Sequence, residues 1–314
     1  MIQRLVRSGI ALFGLLAFIF TISRLLPSNP ARQMLGPRAS DEAVAELSRQ
    51  MGFNDPIPVQ FFNYIVGLFR GDWGRSVVTK QPVLSDIILR FPASFELTTV
   101  AISFAIIVGT FFGIKAAVNQ DGIIDHASRI LALSGVSIPE FWSGIMLQLL
   151  IGSWLGLLPL TGRFAYQEYE LASYTNLLLV DTILNLNFDA FLTAVSFIVL
   201  PAFVLSLGAL AQIMRIVRSE MAEQLNKEYI VTAEANGMPR DLLVYKYMLK
   251  NAFTSTLTVI GLTYGFLLGN AFVVEFVFGW PGLGRYGVRA LLRTDYNAIV
   301  GLTLVIGVWF AVIN

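Results

Sequence analysis

Charge-free apolar runs alternate with charged segments along the chain. A membrane helix needs roughly 20 apolar residues. Runs at 97–114, 141–162, 190–214, 251–274 and 297–314 meet or approach that length. A sixth, 8–23, follows Arg4 and Arg7. Its basic start resembles a signal peptide. No small-x-small cleavage site follows, and Arg24, Leu25, Leu26 and Pro27 suit a retained anchor instead. The 141–162 run extends backwards, since 130–139 is also apolar and only Glu140 interrupts. The preferred reading is one helix over about 130–155, kinked at Pro139. The pattern predicts six helices. The last run ends with the chain and has no polar tail, so it reads as a truncated span.

The segments between the runs differ in kind. Residues 28–92 form an extramembrane insert. Within it, 41–50 reads as a short amphipathic helix with Ser40 as N-cap and Ala43, Leu47 and Met51 on one face. Gly52 can stop it. Residues 60–69 predict a second apolar helix, and Gly71, Asp72, Trp73 and Gly74 a turn. The 162–189 segment carries Glu168, Glu170, Asp181 and Asp189 against Arg163. It reads as a solvated loop or as an attractor of basic groups.

Residues 215–250 hold basic Arg215, Arg218, Lys227, Arg240, Lys246 and Lys250 and acidic Glu220, Glu223, Glu228, Glu234 and Asp241. The segment is too charged to span a membrane and too periodic to be random. Glu223 and Lys227 form a helix-supporting i, i+4 pair. Residues 229–236 continue the helix, with Ile230, Ala233 and Ala235 as apolar positions. Gly237 breaks it, and Pro239 opens a second helix over 240–251. A solvated loop is one reading. A docking element is the other, because small residues beside a glycine elbow let another protein approach closely.

Composition agrees with the spans. The 314 residues are 55% hydrophobic and 14% charged, against about 25% charged in soluble domains. Mean hydropathy is +0.68. A soluble enzyme and a disordered chain are excluded. Net charge is +1, so no broad field points to nucleic acid. Cysteine is absent and His126 is the single histidine, which excludes disulfides, thiol chemistry and Cys- or His-rich metal sites. His126 reads as part of a short cytoplasmic loop. With the N-terminus inside, ten basic residues face the cytoplasm. Eight others fall between Arg24 and Arg90, in or beside a loop long enough to translocate regardless of charge.

Within the spans, Gly109 and Gly113, Gly152 and Gly156, and Gly261, Gly265 and Gly269 recur at four-residue spacing. Such rows let helices pack backbone to backbone. They point to the fifth span as the central helix, touching its own bundle or another subunit. Glu140 and Glu275 lie at or near membrane depth, where acids are costly and face a cavity or a partner. Each reads either as a pathway or gate contact or as a residue satisfied by a hydroxyl or backbone donor. Trp280 sits in a rigid Trp-Pro-Gly-Leu-Gly turn, part of an outer gate or simply structural. No G-x-x-x-x-G-K-[ST] loop is present. No pair of aspartates, Ser with His or H-E-x-x-H supports a membrane-embedded enzyme. No convincing repeat supports a secondary transporter.

The stretch Tyr229-Ile-Val-Thr-Ala-Glu-Ala-Asn-Gly-Met-Pro, with Lys250-Asn251-Ala252, resembles the cytoplasmic EAA loop of ABC importer permeases. Further agreement lies in Gly71-Asp-Trp-Gly-Arg-Ser, Arg90-Phe-Pro-Ala-Ser-Phe-Glu-Leu-Thr, Ser137-Ile-Pro-Glu-Phe-Trp, Thr258-Val-Ile-Gly-Leu, Leu267-Leu-Gly, Val274-Glu-Phe-Val-Phe-Gly-Trp-Pro-Gly-Leu-Gly and Arg293-Thr-Asp-Tyr. Together these resemble the dipeptide/oligopeptide/nickel branch over nearly the whole chain. Glu234 stands where the family usually has a basic residue, and a family histidine near Tyr247 is missing.

The resemblance implies an all-α, type I ABC importer transmembrane fold: an N-terminal helix (1–27), an extracytoplasmic insert (28–92) and a transmembrane domain (93–314) containing the coupling segment 215–250. It implies no catalysis by this chain and no cofactor of its own, ATP and Mg being held by partner ATPases. The implied partners are two such ATPases, a homologous second permease, an external substrate-binding protein and the lipid of a bacterial or archaeal inner membrane. Ala233, Glu234, Ala235, Gly237, Met238 and Arg240 would meet the ATPase, with Met238 as an apolar anchor. Peptides are the implied substrate, with nickel or another small solute as the alternative.

Overall fold

The computed structural model describes residues 2–25, 30–36, 38–164 and 166–313. Among these no β-strand forms; only an isolated bridge joins Arg75 to Pro82. The helices are α1 (Ile2–Leu25), α2 (Pro30–Leu35), α3 (Asp41–Gln50), α4 (Ile57–Phe69), α5 (Val83–Val118), α6 (Ile123–Ser137), α7 (Glu140–Leu147), α8 (Leu178–Leu184), α9 (Phe188–Leu225), α10 (Glu228–Ala235), α11 (Arg240–Leu242), α12 (Leu249–Val277), α13 (Leu283–Leu292) and α14 (Tyr296–Ile313). A π-helical stretch, Gln148–Trp154, extends α7, and another, Leu243–Met248, joins α11 to α12. The expected boundary at residues 27 and 28, and Asn314 of the last run, lie outside or at the edge of the described residues.

Among the described residues five helices are long and apolar enough to cross a membrane: Val6–Leu25 of α1, α5, α9, the continuous Arg240–Val277 and α14. A sixth crossing arises if α6 and α7 count as one, but they meet at 102°. The expected single helix kinked at Pro139 is therefore broken there. Pro139 denies its predecessor the helical region. Ile138 and Pro139 are both extended, at ψ 123° and 134°. His126 belongs to the first turn of α6 rather than to a loop.

The crossing helices run well past their apolar centres. α5 begins at Val83 and absorbs Pro92, and α9 continues through Leu225. The second helix of the 215–250 segment does not stop at Asn251. It is the charged end of Arg240–Val277. Hydropathy marks only the middle of such a helix, because charge changes its solvent without ending its hydrogen bonding.

The chain divides into two compact units: residues 1–91 with 285–312, and residues 92–284 with 313–314. In the first, α1 and α4 pack through Phe13, Phe20, Phe61 and Tyr64, with ring centroids 5.3–5.6 Å apart. α3 is capped by Ser40, whose Oγ accepts from the Ala43 amide at 3.2 Å. Its buried face is Val44 and Ser48, not the expected Ala43 and Met51, which are exposed. Two distant segments meet at Asp295. Its carboxylate accepts from Ser76 Oγ at 2.5 Å and from the Val78 amide at 3.1 Å. Asn297 donates to the Arg75 carbonyl at 3.0 Å.

In the second unit α9 is the central helix, packed on by α6, α7, α8, α10 and α12. The expectation that the fifth span is central is corrected here. Its cause is glycine placement. Gly113 lies so close to α9 that an added Cβ would sit 2.7 Å from Val217 Cβ and 2.9 Å from the Met214 carbonyl. Gly109 and Gly135 have similar neighbours on α9 at 3.1 Å. Gly269 has nothing within 4 Å, and Gly261 only the Ile313 carbonyl at 3.9 Å. Gly265 is buried. Gly156 has φ +61° and ends a helical stretch, so Gly152 and Gly156 form no row.

The 162–189 segment is not simply solvated. It contains α8, and Asp181 is fully buried, accepting from the Thr175 amide and hydroxyl at 2.9 and 2.7 Å. Arg163 pairs with buried Glu96 at 2.6 Å, and Glu96 also accepts from the Leu179 amide. A charge buried inside the protein needs such pairing.

Candidate coupling elbow and membrane-depth sites

The elbow is built by a helix stop. Asn236 caps α10 and Gly237 takes φ +78°, a left-handed conformation that glycine adopts without a Cβ penalty. The Gly237 amide donates to the Glu234 carbonyl at 2.9 Å, and the Met238 amide to the Ala233 carbonyl at 3.1 Å. This double bond pattern is the Schellman motif, which satisfies carbonyls the helix end would leave orphaned. The motif brings the residue after the glycine back onto the last turn. Met238 and Ala233 are accordingly half-buried against the chain's own core, beside buried Ile230. Glu234, Ala235, Gly237 and Arg240 are exposed. An added Cβ on Gly237 would meet nothing within 4 Å. The outer surface of the elbow is thus small, polar and open, with Met238 beneath it.

Two hydrogen bonds fix α10 to its neighbours. Tyr229 Oη donates to Gln224 Oε1 at 2.7 Å and accepts from Asn251 Nδ2 at 3.0 Å. Tyr229 therefore bridges α9, α10 and α12. Nothing in the spacing of Asn251 foretells this bond; it needs the fold of the elbow. The expected Glu223–Lys227 pair is present at 2.7 Å, across the junction of α9 and α10.

Glu275 is fully buried near the end of α12. Ser94 Oγ donates to Glu275 Oε1 at 2.5 Å and accepts from the Leu283 amide at 2.7 Å. An added Cβ on Gly282 would strike both Glu275 and Ser94, and one on Gly284 would lie 2.5 Å from Phe272 Cα. Of the two readings of Glu275, the geometry matches the acid satisfied by a hydroxyl. Trp280 is only 1% exposed, and its Nε1 donates to the Ala93 carbonyl at 2.9 Å. Trp280 and Glu275 together pin the turn after α12 onto α5.

Glu140 is half-buried in the first turn of α7. Its Oε1 lies 3.8 Å from where a Cβ on Gly208 would stand. Between α6 and α9 a cavity of about 820 Å³ opens, reaching from Ser137 and Gly208 to Arg215 and Ser219. Beside it, fully buried Asp125 receives Arg218 through two nitrogens, at 2.5 and 2.8 Å, and Arg129 at 2.7 Å. The Arg129 half has an i, i+4 spacing that sequence reasoning missed. Arg218, 93 residues away in sequence, gives no such signal.

Among the described residues, five or six helices long and apolar enough to cross a membrane, with a charged elbow between two of them, define a polytopic membrane component with an exposed polar surface. The chain belongs to the family described as the binding-protein-dependent transport system inner membrane component, which it matches over residues 105–314. Residues 1–98 match the N-terminal region of such components. The chain is 38% identical to the probable D,D-dipeptide transport system permease protein DdpB of Escherichia coli, covering 96% of this chain and 88% of the relative. It is 39% identical to the dipeptide transport system permease protein DppB of Alkalihalophilus pseudofirmus, over 96% and 91%. It is 34% identical to the glutathione transport system permease protein GsiC of Pectobacterium atrosepticum, over 100% and 93%. The protein is therefore a multi-pass inner-membrane permease subunit of an ABC importer, not an enzyme, and works with a substrate-binding protein and an ATPase.

Proposed function

We propose that this chain forms half of a translocation pathway for di- or oligopeptides. A second homologous permease supplies the other half, and two ATPases holding ATP and Mg drive the cycle. The observation that carries the substrate class is the pair of dipeptide-permease relatives at 38–39% identity over 96% of the chain. Nickel is the weaker alternative, since the relatives at this similarity are named for dipeptides. The N-terminus faces the cytoplasm, which puts the elbow on the ATPase side.

Coupling runs through the elbow. Glu234, Ala235, Gly237 and Arg240 form the surface that the ATPase meets, and Ala233 and Met238 support it from below. Movement of the ATPases tilts α10 and, through Tyr229 and the continuous Arg240–Val277, the fifth span. Gly237→Asn and Gly237→Val test this. Asparagine tolerates the left-handed conformation, so it adds bulk at little strain, whereas valine adds about 1–2 kcal/mol of backbone strain. Both are expected to abolish peptide uptake and transport-coupled ATP hydrolysis in an assembled complex. Survival of both activities would show that nothing docks there.

A further inference from the structure

We propose that the cavity between α6 and α9 is a station for a short zwitterionic peptide, whose ammonium end is read by Glu140 and whose carboxylate end is read by Arg215. The proposal rests on the peptide reading above and adds where, and by which groups, this chain touches its cargo.

The cavity's volume of about 820 Å³ is that of a small-molecule site. Its α9 wall is one helical stripe, Gly208, Gln212, Arg215 and Ser219, and Ala132 and Ser137 of α6 face it. Three arginines border the cavity, but two are committed. Arg129 and Arg218 both bind Asp125. Arg215 forms no ion pair among the described residues and is exposed in the groove. At the other end Glu140 stands just behind the lining residue Gly208, its Oε1 3.8 Å from where a Cβ on Gly208 would stand. Glu140 also forms no ion pair among the described residues. Glu140, which reads as lying at or near membrane depth, is costly there without an ion pair among the described residues, and such acids face a pathway or a partner; Arg215, at the charged end of the groove, stays open to solvent and to a ligand.

The spacing selects the ligand. Gly208 and Arg215 are seven residues apart on one helix, about 10 Å along its axis. An extended chain spans at most about 3.3–3.6 Å per residue, so two or three residues bridge that distance. Gln212 lies between the two charges, with an amide able to donate to and accept from a peptide backbone. The missing side chain of Gly208 and the short one of Ala132 leave room for varied peptide side chains. An anionic lipid headgroup would suit Arg215 but leave Glu140 repelled, which is why the zwitterion is preferred.

The test uses the complete importer in lipid nanodiscs and vesicles, with trialanine, its C-terminal amide and its N-acetyl form as probes. Equilibrium binding is measured without the substrate-binding protein, and uptake with it. The wild-type complex is expected to bind trialanine at least about tenfold more tightly than either blocked form, the scale of one charge-assisted hydrogen bond. Arg215→Gln should erase the preference over the amide while keeping that over the N-acetyl form. Glu140→Gln should do the reverse, and Arg215→Lys should restore part of the first. Equal binding of all three probes by a wild-type complex that takes up trialanine overturns the proposal. So does uptake without such binding, or preferences unchanged in both variants. Loss of co-purified anionic phospholipid from Arg215→Gln, with peptide preferences intact, assigns the groove to lipid and also overturns it. Should the wild-type complex take up no peptide at all, the peptide reading itself falls, a separate and earlier failure.

Discussion

Gly282 and Gly284 show how much a single hydrogen atom can matter here. Both stand where a methyl group would collide with Glu275, Ser94 or the Phe272 backbone. Gly282→Ala is expected to destabilise the protein by about 1–3 kcal/mol or more, the usual cost of overpacking. A lowered thermal unfolding midpoint of the purified complex would register it, and an unchanged one would argue that the turn after α12 is loosely held. Glu275→Gln keeps the shape and still accepts from Ser94, so transport and peptide selectivity should persist. A change of selectivity would return Glu275 to the pathway. Asp125→Asn removes the buried carboxylate that binds both Arg129 and Arg218. Breaking a buried pair from one side costs about 3–5 kcal/mol. Since Arg218 is one-quarter exposed, the lower figure is the expected fall in stability by denaturant or heat.

Elements tell a different story about what a sequence discloses. The crossing helices were legible because apolar length is a local property of the chain. Their ends were not, because charge at 215–225 and 240–250 continues a helix as readily as it begins a loop. Pro139 was legible as a disturbance but not as a 102° turn, which depends on both Ile138 and Pro139 being extended. The elbow was read correctly at Gly237. Met238, expected as an apolar anchor toward the ATPase, is half-buried against the chain's own core, because the Schellman contact folds it onto the last turn of α10, a closure that no spacing discloses. The glycine rows divide in the same way. Gly109 and Gly113 bind α5 to α9, whereas Gly269 faces open space. Gly113→Val should therefore lower the stability of the chain itself. Gly269→Leu should leave the isolated chain stable but weaken its assembly with the second permease. Co-purification of the two subunits separates these outcomes. Equal yields of the pair with and without Gly269→Leu would mean that this face meets lipid.

At the scale of the whole molecule, cysteine-free composition is a practical gift: any single cysteine introduced is unique. With the N-terminus inside, Lys227→Cys should resist a membrane-impermeant maleimide applied to spheroplasts, and Arg49→Cys should react. The reversed pattern would invert the topology and move the elbow to the wrong side for an ATPase. Several segments that looked like separate family signatures turn out to be halves of joints. Ser76 meets Asp295, Ser94 meets Glu275, and Ala93 meets Trp280. None of these pairings follows from sequence spacing, since each joins residues more than 180 apart.

The unbroken helix Arg240–Val277 has a mechanical consequence. Its 38 residues make a rod about 57 Å long. The elbow sits at one end, and the Glu275–Ser94 joint sits at the other. If the rod turns rigidly about its elbow end, a rotation of only about 5° sweeps the far end through about 5 Å, close to one helical pitch. A small stroke delivered by nucleotide chemistry would thus arrive at the opposite face of the membrane already amplified, with the π-helical Leu243–Met248 stretch as the one segment of that rod built with a different gearing.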